Sequence, residues 1–185
     1  MKRHHLIYGI YLAFCILLVG SIIITPLLAL SNSKSADAIY SFYSFTCHQK
    51  LSRSNCLFDN SGALSFDDCT NQTGVFVENQ DEKNTSAVKG SVIGYKFPVC
   101  ARDVGIYGMM LVGAIIYPFL RKLDSKSMYS PWFLVAALIP IGIDGTAQLL
   151  GFYESTNLLR LLTGGLAGFV MSLYIIPVLN KMFNE

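Results

Sequence analysis

Charged side chains make up only 14% of the 185 residues, against about a quarter in an ordinary soluble domain. The shortfall excludes a water-soluble globule. Net charge is equally slight: 14 Lys+Arg against 12 Asp+Glu leave +2, spread along the chain. A phosphate backbone would need a basic stripe, so nucleic acid is excluded as a partner. Internal repeats and low-complexity tracts are missing too, which excludes solenoids and arrays. In their place stands apolar mass, 52% hydrophobic and 12% aromatic, gathered in long blocks. The blocks predict an all-α integral membrane protein: one membrane domain over residues 1–185, built as a four-helix transmembrane bundle.

The first span is Leu6 to Leu30, an uncharged run of about 25 residues, long enough at 1.5 Å per residue for a hydrocarbon core of roughly 30 Å. Its basic flank and the end Ala29-Leu30-Ser31 imitate a signal peptide, but an h-region is about 7–15 residues long, so the expectation is an uncleaved helix. Spans two to four are read at 104–120, 132–152 and 158–179. Tyr117, Tyr129, Trp132 and Tyr153 fall near block ends, where amphipathic rings favour the interface.

Orientation follows from Lys and Arg in short flanks. Lys2, Arg3, Arg121, Lys122, Lys126 and Lys181 all fall on one side, predicting a multi-pass cell-membrane protein with both termini and the 121–130 loop in the cytoplasm. Residues 31–101 then form a long extracytoplasmic segment between helices 1 and 2. Within it, Asn71-Gln72-Thr73 and Asn84-Thr85-Ser86 fit the N-glycosylation pattern. Cys47, Cys56, Cys69 and Cys100 lie there as well, where an oxidising compartment lets thiols pair. Cys15, inside the first span, reads as a small buried apolar residue.

The outer segment divides by composition. Residues 35–51 mix aromatic and apolar side chains with Ser, predicting an interfacial helix. Residues 56–91, rich in Asn, Asp, Gly, Ser and Thr, predict a disulfide-bearing exposed loop with a short hairpin of Leu64-Ser65-Phe66 and Val75-Phe76-Val77.

Four charges lie within or at the edge of the bilayer: Arg102, Asp103, Asp144 and Arg160. They sum to zero. An ionisable group in hydrocarbon costs about 2.5–3.5 kcal/mol on insertion scales, so four of them need pairing or a function. By topology all four are outward, as are Cys47, His48, Gln49, Arg53, Gln148 and Asn157. Asp144 and Gln148 are i,i+4; Asn157 and Arg160 are i,i+3 with Gly164 next along that face. Gly164 with Gly168, and Gly105 with Gly108, predict close packing of spans two and four, bringing Asp103 near Arg160.

Thr46-Cys47-His48-Gln49 with Arg53-Ser54, Pro98-Val99-Cys100-Ala101-Arg102-Asp103, Asp144-Gly145 with Gln148, and Ser155-Thr156-Asn157 with Arg160 form an ordered set. The set resembles a domain-of-unknown-function family of archaeal and bacterial predicted membrane proteins, over residues 40 to 177. The resemblance implies membrane residence and no particular reaction. It also implies that the stretch from Cys56 to Lys89 is an insertion relative to the family's shorter linker.

Three readings are open to Cys47 and Cys100. As a disulfide, the preferred one, they leave Cys56 to pair with Cys69, and closing that loop contributes roughly 3 kcal/mol in the chain-entropy model. As ligands they join His48 and Asp103 in a set that suits zinc, although adjacent Cys-His is an awkward spacing. The third reading is a catalytic thiol. Arg53, Arg102 and Arg160, with Gln148 and Asn157, make an anion-binding set, since guanidinium forks and helix N-termini suit phosphate. His48, Asp103 and Asp144 are candidate proton-transfer groups beside it. The plain alternatives are a backbone-bonded His48 and an Asp144–Arg160 packing pair. The first functional expectation is therefore an enzyme that hydrolyses or transfers a group on a lipid-linked phosphate or similar amphiphilic anion. The alternative is a non-catalytic lipid- or ligand-binding protein or accessory subunit; a transporter ranks third, because four spans give a narrow path.

Overall fold

The structure, a computed structural model, describes residues 3–47, 50–60, 62–69, 75–76, 86–89 and 92–183. Along the chain run α1 (Arg3–Leu30), α2 (Lys34–Tyr43), a 3₁₀ turn (Leu51–Arg53), β1 (Asn55–Asn60), β2 (Ala63–Asp68), β3 (Val75–Phe76), β4 (Ser86–Lys89), β5 (Val92–Lys96), α3 (Ala101–Leu120), α4 (Pro131–Leu149) and α5 (Asn157–Phe183). The protein is mostly helical, and α1, α3, α4 and α5 are long and apolar enough to cross a membrane. The expectation of an all-α fold is corrected by a five-stranded antiparallel sheet of order β2-β1-β5-β4-β3. The chain divides into two compact units, Met1–Val19 with Arg102–Glu185, and Gly20–Ala101.

In the first unit α5 is the central helix: 61% of its apolar window is buried, against 11% for α4. Small residues make that possible. A Cβ on Gly164 would strike the Arg102 carbonyl, one on Gly168 the Ile106 carbonyl, and one on Gly105 the Leu161 carbonyl. From Arg102 beside Gly164 to Ile106 beside Gly168 the residue numbers rise on both helices, so α3 and α5 run parallel with backbones touching. Gly108, expected to share this role, faces open space. Farther along, Tyr11, Cys15, Met110, Ala114, Tyr117, Leu173 and Ile176 form the apolar core. Tyr117 is thus interior rather than interfacial. Ser172 donates to the Met110 carbonyl at 2.7 Å and so accepts from Tyr11, 2.6 Å away. Tyr8 donates to the Ala114 carbonyl at 3.1 Å.

In the second unit α2 is shorter than the expected 35–51 helix. It stops at Tyr43 because the Ser44 and Thr46 hydroxyls bond back to the Ser41 and Tyr43 carbonyls, and the Cys47 N–H also turns to Tyr43. Its buried face is Ala36, Tyr40 and Tyr43, of which Ala36 and Tyr40 pack with Ala29 and Tyr95. Tyr40 donates to the Lys96 carbonyl at 2.5 Å, and burial raises its phenol above the ordinary 10.

The expected loop 56–91 contains β2, β3, β4 and most of β1, and β5 follows directly after it. Residues 64–66 and 75–76 are extended as expected, but they do not pair with each other: β2 pairs with β1 and β3 with β4. Residue 77 and both glycosylation asparagines, Asn71 and Asn84, lie outside the described residues. Gly62, at φ 92°, turns the β1–β2 hairpin while its N–H donates to Asp59. Gly94 lies opposite Phe58, whose ring fills the place a Cβ would take. The Cys56–Cys69 disulfide closes the small core of Leu51, Cys56, Phe58 and Cys69.

Lys96 ends β5 with 0% exposure, and burial lowers its amine from 10.5 to about 8, against a smaller raising effect of Cys47. Below pH 8 the amine is charged in both folded and unfolded chains, and its burial is penalised throughout. Between pH 8 and 10.5 the unfolded chain holds a proton the folded one has released, so stability rises with pH, by up to about 3 kcal/mol. Thermal melts of this unit are expected to climb over that window in wild type and to be flat in Lys96→Met.

Candidate functional site

The polar cluster is assembled by how three helices begin and end. Helix α4 starts with Pro131 in its first turn and closes in a Schellman motif: the Phe152 N–H reaches the Ala147 carbonyl, the Gly151 N–H reaches Gln148, and Gly151 takes φ 74°. That reversal carries the chain back over the helix end. Tyr153 therefore donates to Asp144, nine residues earlier, at 2.5 Å. Thr156 caps α5 by accepting the Leu159 N–H at 3.2 Å, and Ser155, buried beside it, adds its hydroxyl to the Asp144 carboxylate.

Arg102, in the first turn of α3, supplies the counter-charge. Its Nη2 forms an ion pair with Asp144 Oδ2, and Gly145 leaves room for Nη1 at the helix surface. The carboxylate is 3% exposed and the arginine side chain 22%. Asp144 is thus bound on both oxygens, while Arg102 keeps an edge outside. Its Nε is buried and has no acceptor among the described residues. Arg160, 2% exposed, donates through Nη1 to Asn157 Oδ1 at 2.8 Å, joining the two residues whose i,i+3 spacing placed them on one face. The plain reading paired Asp144 with Arg160; the partner is Arg102 instead, because the α3–α5 seam brings the head of α3 to the end of α4.

The remaining candidates fall as follows. Asp103 lies in the first turn of α3 and Gln148 one turn after Asp144 on α4. Arg53 ends the 3₁₀ turn of the second unit. His48 and Gln49 lie outside the described residues. Cys47 and Cys100 come together, their sulfurs within 4.8 Å. The preferred bridge between them is not formed in the structure, where the Cys100 N–H donates to Cys47 Sγ at 3.3 Å. Tyr153 was missed by sequence reasoning, which read it only as an interfacial aromatic. Its hydrogen bond to Asp144 now holds the phenol above its ordinary 10, so it stays a proton donor.

The family described as predicted membrane protein (DUF2085) matches residues 90–174. An uncharacterized protein of Methanocaldococcus jannaschii is 35% identical over 191 aligned positions, covering 100% of this chain and 98% of the relative. The chain belongs to this family. Another relative, an uncharacterized protein of Methanothermobacter thermautotrophicus, is 43% identical over 77 residues, 40% of this chain and 66% of its own length. No solved structure matches the chain. Membership places Arg102, Asp144, Tyr153 and Arg160 inside the family-matched region of a multi-pass membrane protein.

Proposed function

We propose that this DUF2085 protein binds the anionic headgroup of an amphiphile at the end of the bundle where α3 and α5 begin. One observation carries the reading: a sealed aspartate anchors a partly exposed arginine whose buried Nε has no acceptor among the described residues. Asp144 fixes the orientation of Arg102, and the exposed edge of the guanidinium donates to a phosphate. The tail of such a ligand stays in the bilayer while its head reaches the cluster. The basic flanks Arg3, Arg121, Lys122, Lys126 and Lys181 support an orientation with this end outside and both termini in the cytoplasm. The Cys56–Cys69 bridge supports the same side for residues 31–101.

The test compares a long-chain alkyl phosphate with a neutral alkyl glycoside of equal chain length, by native mass spectrometry of the purified full chain. Wild type is expected to prefer the phosphate, and Arg102→Gln to lose that preference by tenfold or more, since a hydrogen bond to a charged group contributes about 1.5–3 kcal/mol. Equal retention of both amphiphiles by wild type overturns the reading. Hydrolysis or transfer at the headgroup is a second reading, favoured by Tyr153: its hydroxyl, on a residue 42% exposed, is bonded to a buried carboxylate and so forms a proton path. It predicts phosphate release from the same probe that Tyr153→Phe abolishes.

A further inference from the structure

At the far end of the first unit, the opening turns of α1 and the closing turns of α5 enclose an apolar cavity of about 510 Å³. Leu6, Ile10 and Phe14 of α1 face Leu179 and Phe183 of α5, and Arg3 stands at one end. Tyr11 contributes only its ring, since its hydroxyl is bonded to Ser172. Leu6, Ile10, Phe14 and Phe183 remain about half exposed, so the cavity opens toward the surroundings of the helices.

Its dimensions select the occupant. From Arg3 to Phe14 the helix rises about 16 Å, half of a hydrocarbon core of roughly 30 Å. A partner transmembrane helix would use a groove through the whole thickness; this one spans a single leaflet. Its charge is one-sided as well. Arg3 caps it, Lys181 lies between Leu179 and Phe183 in sequence, and neither α1 nor α5 contains an acidic residue. We propose that the cavity holds one phospholipid with an anionic headgroup, its phosphate against Arg3 and one chain laid along Leu6, Ile10 and Phe14. Chains already in a bilayer gain little from another apolar wall, so selectivity rests on the headgroup contact. Each basic residue near the headgroup is worth about fivefold.

The test uses the full chain in detergent with phosphatidylglycerol and phosphatidylcholine of identical chains, read by native mass spectrometry. One phosphatidylglycerol is expected to bind about tenfold more tightly than phosphatidylcholine. Arg3→Gln, at an exposed position that leaves the fold intact, should cut that preference about fivefold, and Ile10→Trp, which fills the cavity, should displace both lipids. Equal binding of the two lipids, or an unchanged preference in Arg3→Gln, overturns the proposal. So does a preference lost in Arg102→Gln and kept in Arg3→Gln, which would put the lipid at the Asp144 cluster. A dimer broken by Ile10→Trp, with no lipid selectivity, assigns the face to a second copy and overturns it too.

Discussion

Asp144→Ala is expected to lower unfolding stability by about 3 kcal/mol, the lower end of the range for breaking one partner out of a buried ion pair. The magnitude comes from what is left behind. Arg102 loses its anchor in a region with little water, and Tyr153 and Ser155 lose a shared acceptor. The arginine's 22% exposure lets it relax partly toward solvent, which keeps the loss from reaching the upper end of about 5 kcal/mol. Replacing both partners, Arg102→Met with Asp144→Leu, is expected to recover most of the stability, because no buried charge then remains unmatched. Equilibrium unfolding in detergent of the two single variants and the double variant checks this. A single variant within about 0.5 kcal/mol of wild type, the range of an ordinary surface change, would show that the pair does not hold the helices together.

Gly168→Ala is expected to cost about 2–3 kcal/mol, an overpacking penalty at its upper range. A methyl there lands on the Ile106 backbone carbonyl, and backbone cannot rotate out of the way as a side chain does. The helices must separate along the seam, which also strains the neighbouring contact of Gly164 with Arg102. Gly108→Ala serves as the contrast. Its Cβ meets nothing within 4 Å, so the only change is better helix propensity, and stability should stay level or rise by up to about 1 kcal/mol. Thermal melts of the two variants side by side decide the matter, and equal melts would refute the seam.

These two sites also show what could be read from sequence. The spans were legible because apolar runs of 17 or more residues have few other uses, and Asp144 stood out because a carboxylate within such a run is rare. Glycine spacing identified Gly105, Gly164 and Gly168 but could not exclude Gly108, which lies on α3 beyond the reach of α5. Arg102 and Arg160 stand in the first turns of α3 and α5. Choosing between them as the partner of Asp144 needed the register of α3 against α5, which no single-chain pattern encodes. Tyr153 joined the cluster through the turn at Gly151, and an aromatic just past a span has too many ordinary reasons to be there. The sheet was illegible for a different reason. Its strands are two to six residues long, and β1 pairs with β5 across some 35 residues of polar chain, so no local alternation announces it.

The hydrogen bonds from Tyr8 and Tyr11 impose an order of events in time. Both tyrosines enter the bilayer with the first helix, but their acceptors belong to chain made later: Ala114 follows Tyr8 by 106 residues, and Ser172 follows Tyr11 by 161. At about 5–20 residues per second, Tyr11 waits roughly 8–30 s for Ser172 to be synthesised. Tyr8 finds its acceptor once α3 is made, but the Tyr11 phenol waits for Ser172, so the bundle closes only near the end of translation, when α5 arrives.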